Sequence, residues 1–169
     1  MDDSLDKKLD FKDRLISFLK KNQFKLIIFF IIFLISVLIT LLFNENQNRK
    51  KILLSDKFIK AGLLFSTGDI EKAKQHYDEI ILSKNKFYSL LALNKILEKK
   101  LEKDQEKILK YFSILEKIDF SENTYDLVQL KKALFLINNS KKQSGIKILE
   151  KLIEKNSDLK TIAEEIILK

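Results

Sequence analysis

The sequence predicts an all-α protein in which one transmembrane helix precedes an α-solenoid of about three helix pairs and a capping helix. Three observations predict it. Leu26–Phe43 runs for eighteen residues without a charge. From Leu54 almost to the end, apolar residues recur at the spacing of a helix face. A triplet of packing residues then returns at offsets of 35 and 37. No segment alternates with the period of a strand.

The anchor comes first. Sixteen of its eighteen residues are Leu, Ile, Phe or Val, and at 1.5 Å per residue it reaches roughly 27 Å, close to the hydrocarbon thickness of a bilayer. Those residues favour insertion by roughly 5–10 kcal/mol in total. Ser36 and Thr40 can return their hydroxyls to the helix backbone, and they form a small-xxx-small pair that admits another membrane helix. Lys20, Lys21 and Lys25 before the span, and Arg49, Lys50 and Lys51 after it, hold its ends among headgroups. Leu41-Leu42-Phe43-Asn44-Glu45 offers no small-residue cleavage site, so the segment reads as an uncleaved anchor in contact with membrane lipid. Five basic residues in the fifteen before the span against four in the fifteen after it leave its direction open. Residues 1–25 read as a juxtamembrane segment with a surface helix over Ser4–Lys21, and 44–54 as a linker running into the first helix of a domain at 55–169.

Within that domain the stripes are Leu54, Phe58, Ala61 and Phe65; then Ile70, Ala73, Tyr77 and Ile80; then Leu90, Leu93, Leu97 and Leu101. Ile108, Phe112, Leu115 and Ile118 follow, then Leu127, Leu130, Leu134 and Ile137, then Leu149, Leu152 and Ile153, and last Leu159, Ile162 and Ile166. Polar, turn-prone residues break them at Ser66–Asp69, Ser83–Asn85, Asp119–Asn123, Asn138–Lys142 and Asn156–Asp158.

Composition excludes several function classes. The net charge of +8 is spread as lysines alternating with glutamates, as in Glu98–Asp104, which reads as a solvated helix face rather than a nucleic-acid surface. With no cysteine and one histidine, His76, expected at a solvated rim, no disulfide, thiolate nucleophile or paired-histidine metal site can form. Adjacent carboxylates such as Asp78-Glu79 point to different helix faces, and no phosphate-binding or nucleophile-elbow motif occurs. The expectation is a protein with no catalytic residues, no cofactor, no metal and no small-molecule substrate.

Gly68-Asp69-Ile70-Glu71-Lys72-Ala73-Lys74-Gln75-His76-Tyr77-Asp78-Glu79-Ile80 resembles the second half of a tetratricopeptide repeat, with Gly68 in the turn, Ala73 where the paired helices cross and Tyr77 in the next layer. Ala61 takes the small position of the first helix, so the unit spans about 55–86. Ile108, Phe112 and Leu115 stand where this unit has Ala73, Tyr77 and Ile80; Gly145, Leu149 and Leu152 repeat the pattern. The second unit has no turn glycine and puts Ile108 at the small position; Leu159–Leu168 caps the last pair. Such a solenoid presents a concave protein-binding face, on which Phe58, Gly62, Phe65 and Ser66 would lie; the alternative is that the two phenylalanines are core.

With Phe18-Leu19-Lys20-Lys21-Asn22 before the anchor and Phe87-Tyr88-Ser89-Leu90-Leu91-Ala92-Leu93 opening the second pair, the layout resembles the ancillary subunits of the bacterial SecYEG translocon (YfgM-like). The resemblance implies an inner-membrane protein with a cytoplasmic N-terminus and periplasmic helix pairs. It also implies Sec translocon subunits and periplasmic chaperones as partners. An envelope-assembly or cell-division adaptor with the same fold is the alternative reading.

Overall fold

The computed structural model describes residue 16 and residues 19–168, and the chain divides into two compact units between Lys51 and Ile52. The helices are α1 (Gln23–Ser66), α2 (Ile70–Leu82), α3 (Tyr88–Glu98), α4 (Gln105–Leu115), α5 (Glu122–Asn138), α6 (Lys142–Glu154) and α7 (Lys160–Ile167), with no strand among the described residues. The all-α class is therefore as the periodicity dictates.

In the first unit α1 is long and apolar enough to cross a membrane, over Gln23–Thr40. Its apolar side chains are exposed on every side, from Phe29 and Ile32 to Phe33 and Ile39. Thr40 donates its hydroxyl to the Ser36 carbonyl at 2.9 Å, so this polar group stays satisfied within the helix. Residues 44–54, expected as a linker, are helical throughout. They contain no glycine or proline to stop α1, and Arg49 pairs with Glu45 one turn back at 2.9 Å. The surface helix expected over 4–21 falls on 4–15 and 17–18, outside the described residues; residues 19–21 are helical.

In the second unit the helices pack as successive pairs of solenoid type. The end of α1 joins α2 in one core through Phe58, Ala61 and Tyr77, α3 packs closely on α2 and only lightly on α4, α5 pairs with α6, and α7 packs on α6. Ala73, Ile108 and Gly145 are each the fourth residue of α2, α4 and α6, and all three are buried. Tyr77, Phe112 and Leu149 follow one turn on, then Ile80, Leu115 and Leu152, again all buried. The triplets that recur in the sequence thus fall at one register of the second helix in each pair. One core cluster runs from Ala61 through Tyr77, Leu93 and Phe112 to Val128; a second joins Leu130, Ala133, Leu149, Leu152 and Ala163. Phe112 of the first cluster meets Phe135 of α5, which packs against the same cluster, at 6.0 Å. The five alanines of the chain, 61, 73, 92, 133 and 163, are all fully buried.

The stripes are corrected in detail. Ile70, Leu127 and Ile162, expected inside, are exposed, and Val128 and Ala163, beside the last two, are buried instead. Leu101 is buried but lies beyond the end of α3.

Helix ends explain the turns. Gly68 is left-handed (φ 87°), its amide and that of Asp69 closing on Phe65 and Leu64 at 3.2 and 2.9 Å. Asp69 then caps α2 through the Lys72 amide at 3.3 Å. Lys100 (φ 50°), Ser140 (φ 61°) and Asn156 (φ 55°) make the same left-handed closure without glycine, the following amide reaching Ile96, Leu136 and Leu152 respectively. Lys100 and Ser140 therefore occupy the turn position that Gly68 occupies in the first pair. Ser89 is fully buried because its hydroxyl donates to the Ile80 carbonyl at 3.0 Å, satisfying the end of α2.

A candidate binding cleft at the lengthened turn of the second pair

Three residues separate α1 from α2 and α5 from α6, but six, 99–104, separate α3 from α4. The longer turn opens a cleft of about 720 Å³ bounded by α3, the turn, α4 and α5. Its apolar floor is Ile96, Leu97, Ile108, Leu134 and Phe135. Lys100, Lys103, Lys131, Gln105, Asn138 and Asn139 form its polar rim. Ile108 fits here because α4 stands away from α3; the small residue that position needs elsewhere is not required.

The turn is fixed from within. Leu101 is buried beneath it, and Glu102 Oε1 accepts from the Lys103 and Asp104 amides at 2.9 and 3.1 Å. Asp104 caps α4 through the Glu106 and Lys107 amides at 2.9 and 3.3 Å. The other Glu102 oxygen meets Lys107 at 3.1 Å and Lys74 at 3.3 Å, and its side chain is only 7% exposed. Lys107 also pairs with Asp78 at 2.6 Å, and Asp78 accepts from the Tyr111 hydroxyl. One network of Lys74, Asp78, Glu102, Lys107 and Tyr111 thereby ties the turn to α2 and α4. Across the cleft, Gln105 donates to Asn139 at 3.1 Å and Lys141 pairs with Glu106 at 2.8 Å.

Burial alone would raise the Glu102 pKa, but the amide of Asp104 and the ammonium groups of Lys107 and Lys74 outweigh it and hold it at about 2. Burial likewise works against the charged form of Lys107; Asp78, Tyr111 and Glu102 overcome it and raise its pKa. The Tyr111 hydroxyl is pushed up by burial and by its bond to Asp78. Because the folded pKa of Glu102 is depressed, its stabilisation is fully present above about 4.5 and is lost as pH falls toward 2. The partial solvation of Lys107 discounts the shift to about 1–2 kcal/mol. Glu102→Gln keeps the acceptor for both amides and removes the charge. It is expected to lower stability by about that amount at pH 7 and by almost nothing near pH 2. Thermal unfolding of the full chain in detergent at the two pH values checks this.

The segment Glu98–Asp104, read from the sequence as a solvated helix face, is thus largely a turn with Leu101 and Glu102 inside. The four residues expected on a binding face stand on α1, and none of them lines the cleft. Phe58 is half-buried, edge-on to Tyr77 (centroids 5.6 Å apart) and tilted against Tyr88. Phe65 is half-buried against the same core. Gly62 has room for a methyl group, whose carbon would touch the Tyr77 hydroxyl at 3.9 Å, and Ser66 is exposed with its hydroxyl donating to the Gly62 carbonyl at 3.0 Å. His76, expected at a solvated rim, is half-buried with its Nδ1 3.9 Å from Glu79. No residue of the cleft was legible as a site, because Lys100 gives none of the glycine signal that marks a left-handed turn. The one available cue was Asp104, an N-cap placed after a run of lysines.

Comparison with protein-family models, with characterised proteins and with solved structures finds no match to this chain.

Proposed function

We propose that the chain is a membrane-tethered, non-enzymatic protein-binding module whose cleft between the second and third helix pairs receives a segment of a partner protein. The observation that carries this reading is the cleft itself: an apolar floor, a polar rim and a turn held in place by its own ion pairs, in the size range of binding pockets. The apolar stretch of α1 serves as the tether. The resemblance of the layout to ancillary translocon subunits directs the module to the bacterial inner membrane, with a cytoplasmic N-terminus, periplasmic tetratricopeptide-like pairs, and Sec translocon subunits and periplasmic chaperones as clients.

A photo-crosslinking residue placed at Lys131, beside one placed at Lys110 on the exposed face of α4, tests this in native membranes. The expected result is adducts with translocon subunits or chaperones from position 131 only. Equal labelling from both positions, or a C-terminus found in the cytoplasm, removes the export reading. Adducts with cell-wall or outer-membrane assembly factors reassign the module to envelope assembly.

A further inference from the structure

We infer that the segment received by this cleft is an acidic peptide carrying apolar side chains, an inference that rests on the protein-binding reading and specifies its partner's chemistry. The charge balance of the cleft carries it. Lys100, Lys103 and Lys131 line it, and none of the three makes an ion pair among the described residues. The single carboxylate of the lining, Glu102, is already held by Lys74 and Lys107 and by two backbone amides. Its charge is spent inside the protein, so the rim faces outward with uncompensated positive charge. Lys131 is half-buried and lies on the same helix as Leu134 and Phe135 of the floor. Lys131 is covered over part of its side chain and has no carboxylate partner among the described residues, so a cation at the edge of an apolar floor is complemented by a carboxylate brought in by the occupant. The floor in turn needs apolar side chains on that occupant to displace water. A flat anionic membrane surface supplies the charge but cannot enter a concave site, which is why a peptide is the better fit.

The rim is also pre-organised. Lys100 and Lys103 sit on a turn whose backbone is tied down by Glu102 and by the Asp104 cap, so little ordering remains when a partner binds.

The test uses the full chain in neutral-lipid nanodiscs and three labelled twelve-residue probes with the same leucine and phenylalanine positions, whose polar positions are all Glu, all Gln or all Lys. Fluorescence anisotropy is expected to give binding in the order Glu, Gln, Lys, with at least tenfold between Glu and Lys and a loss of that preference at high salt. The combined variant Lys100→Glu, Lys103→Glu and Lys131→Glu is expected to reverse the order. The same charge change at Lys110, Lys117 and Lys147, outside the cleft, is expected to leave it intact, and circular dichroism of both variants reports whether they fold. If the three probes bind alike, or if the control variant reverses the order as well, the inference is overturned. Should the Lys131 crosslink still capture a protein, the binding reading survives that failure. Displacement of the Glu probe from the unaltered chain by anionic-lipid vesicles, but not by neutral ones, would instead overturn the peptide in favour of a lipid headgroup.

Discussion

Phe112→Ala is expected to lower the stability of the second unit by about 3–5 kcal/mol, the usual cost of emptying a fully buried phenylalanine site. Phe112 has no exposed surface and heads the largest side chains buried completely. It occupies the central turn of α4, packs in the first core cluster and meets Phe135 of α5 at 6.0 Å. Truncation therefore leaves a void where α4 meets α5, inside the core cluster that α4 shares with α2 and α3. A helical domain of this size holds about 5–15 kcal/mol in all, so a large share of the margin disappears. Urea unfolding of the full chain in detergent, followed by circular dichroism, measures it. A loss below about 1 kcal/mol would mean that the ring is not packed as tightly as its complete burial implies.

Gly145 is expected to tolerate no side chain. A Cβ there would lie 2.6 Å from Ile137 Cγ1 and 2.7 Å from the Ala133 carbonyl oxygen. The first neighbour can turn aside, but the second is helix backbone and cannot. Gly145→Ala gains about 1 kcal/mol of helix propensity, yet the overpacking of α5 against α6 outweighs it, for a net loss of about 1–2 kcal/mol. Gly145→Val is expected to lose about 3 kcal/mol. Gly62 supplies the opposite sign within the same protein. Its Cβ would meet only the Tyr77 hydroxyl at 3.9 Å, so Gly62→Ala is expected to gain about 0.5–1 kcal/mol. Melting temperatures of the three variants test the assignment together, and a stabilising Gly145→Ala would show that α5 and α6 do not cross so closely.

The two glycines also mark how far the sequence could be read. Helix spacing located the helices from α2 onward but broke α1 at a linker that is helical, and the recurring triplets located one buried register in three helices, because both follow from a period the chain must obey to bury apolar surface. Loop length obeys no such period. Leu101 continues the 3.6-residue rhythm of Leu90, Leu93 and Leu97, yet it is the apolar residue that closes a left-handed helix end. The rhythm therefore ran one turn too far and hid the residues that open the cleft. The small position was likewise read as a property of the repeat. It is a property of each crossing: tight at Gly145, relaxed at Ile108.

The buried alanines have a consequence for how this chain can vary. Its composition leans toward lysine, isoleucine and asparagine, whose codons are rich in A and T, and away from alanine and glycine, whose codons begin with GC and GG. Under such a bias a small residue is an improbable letter, and its presence carries more information than another isoleucine. All five alanines stand where no exposed surface is left, and Gly145 is buried with them. Drift in base composition can rewrite the solvent face freely, but at these crossings it meets a steric limit, and the buried alanines with Gly145 are a printed map of where the helices touch.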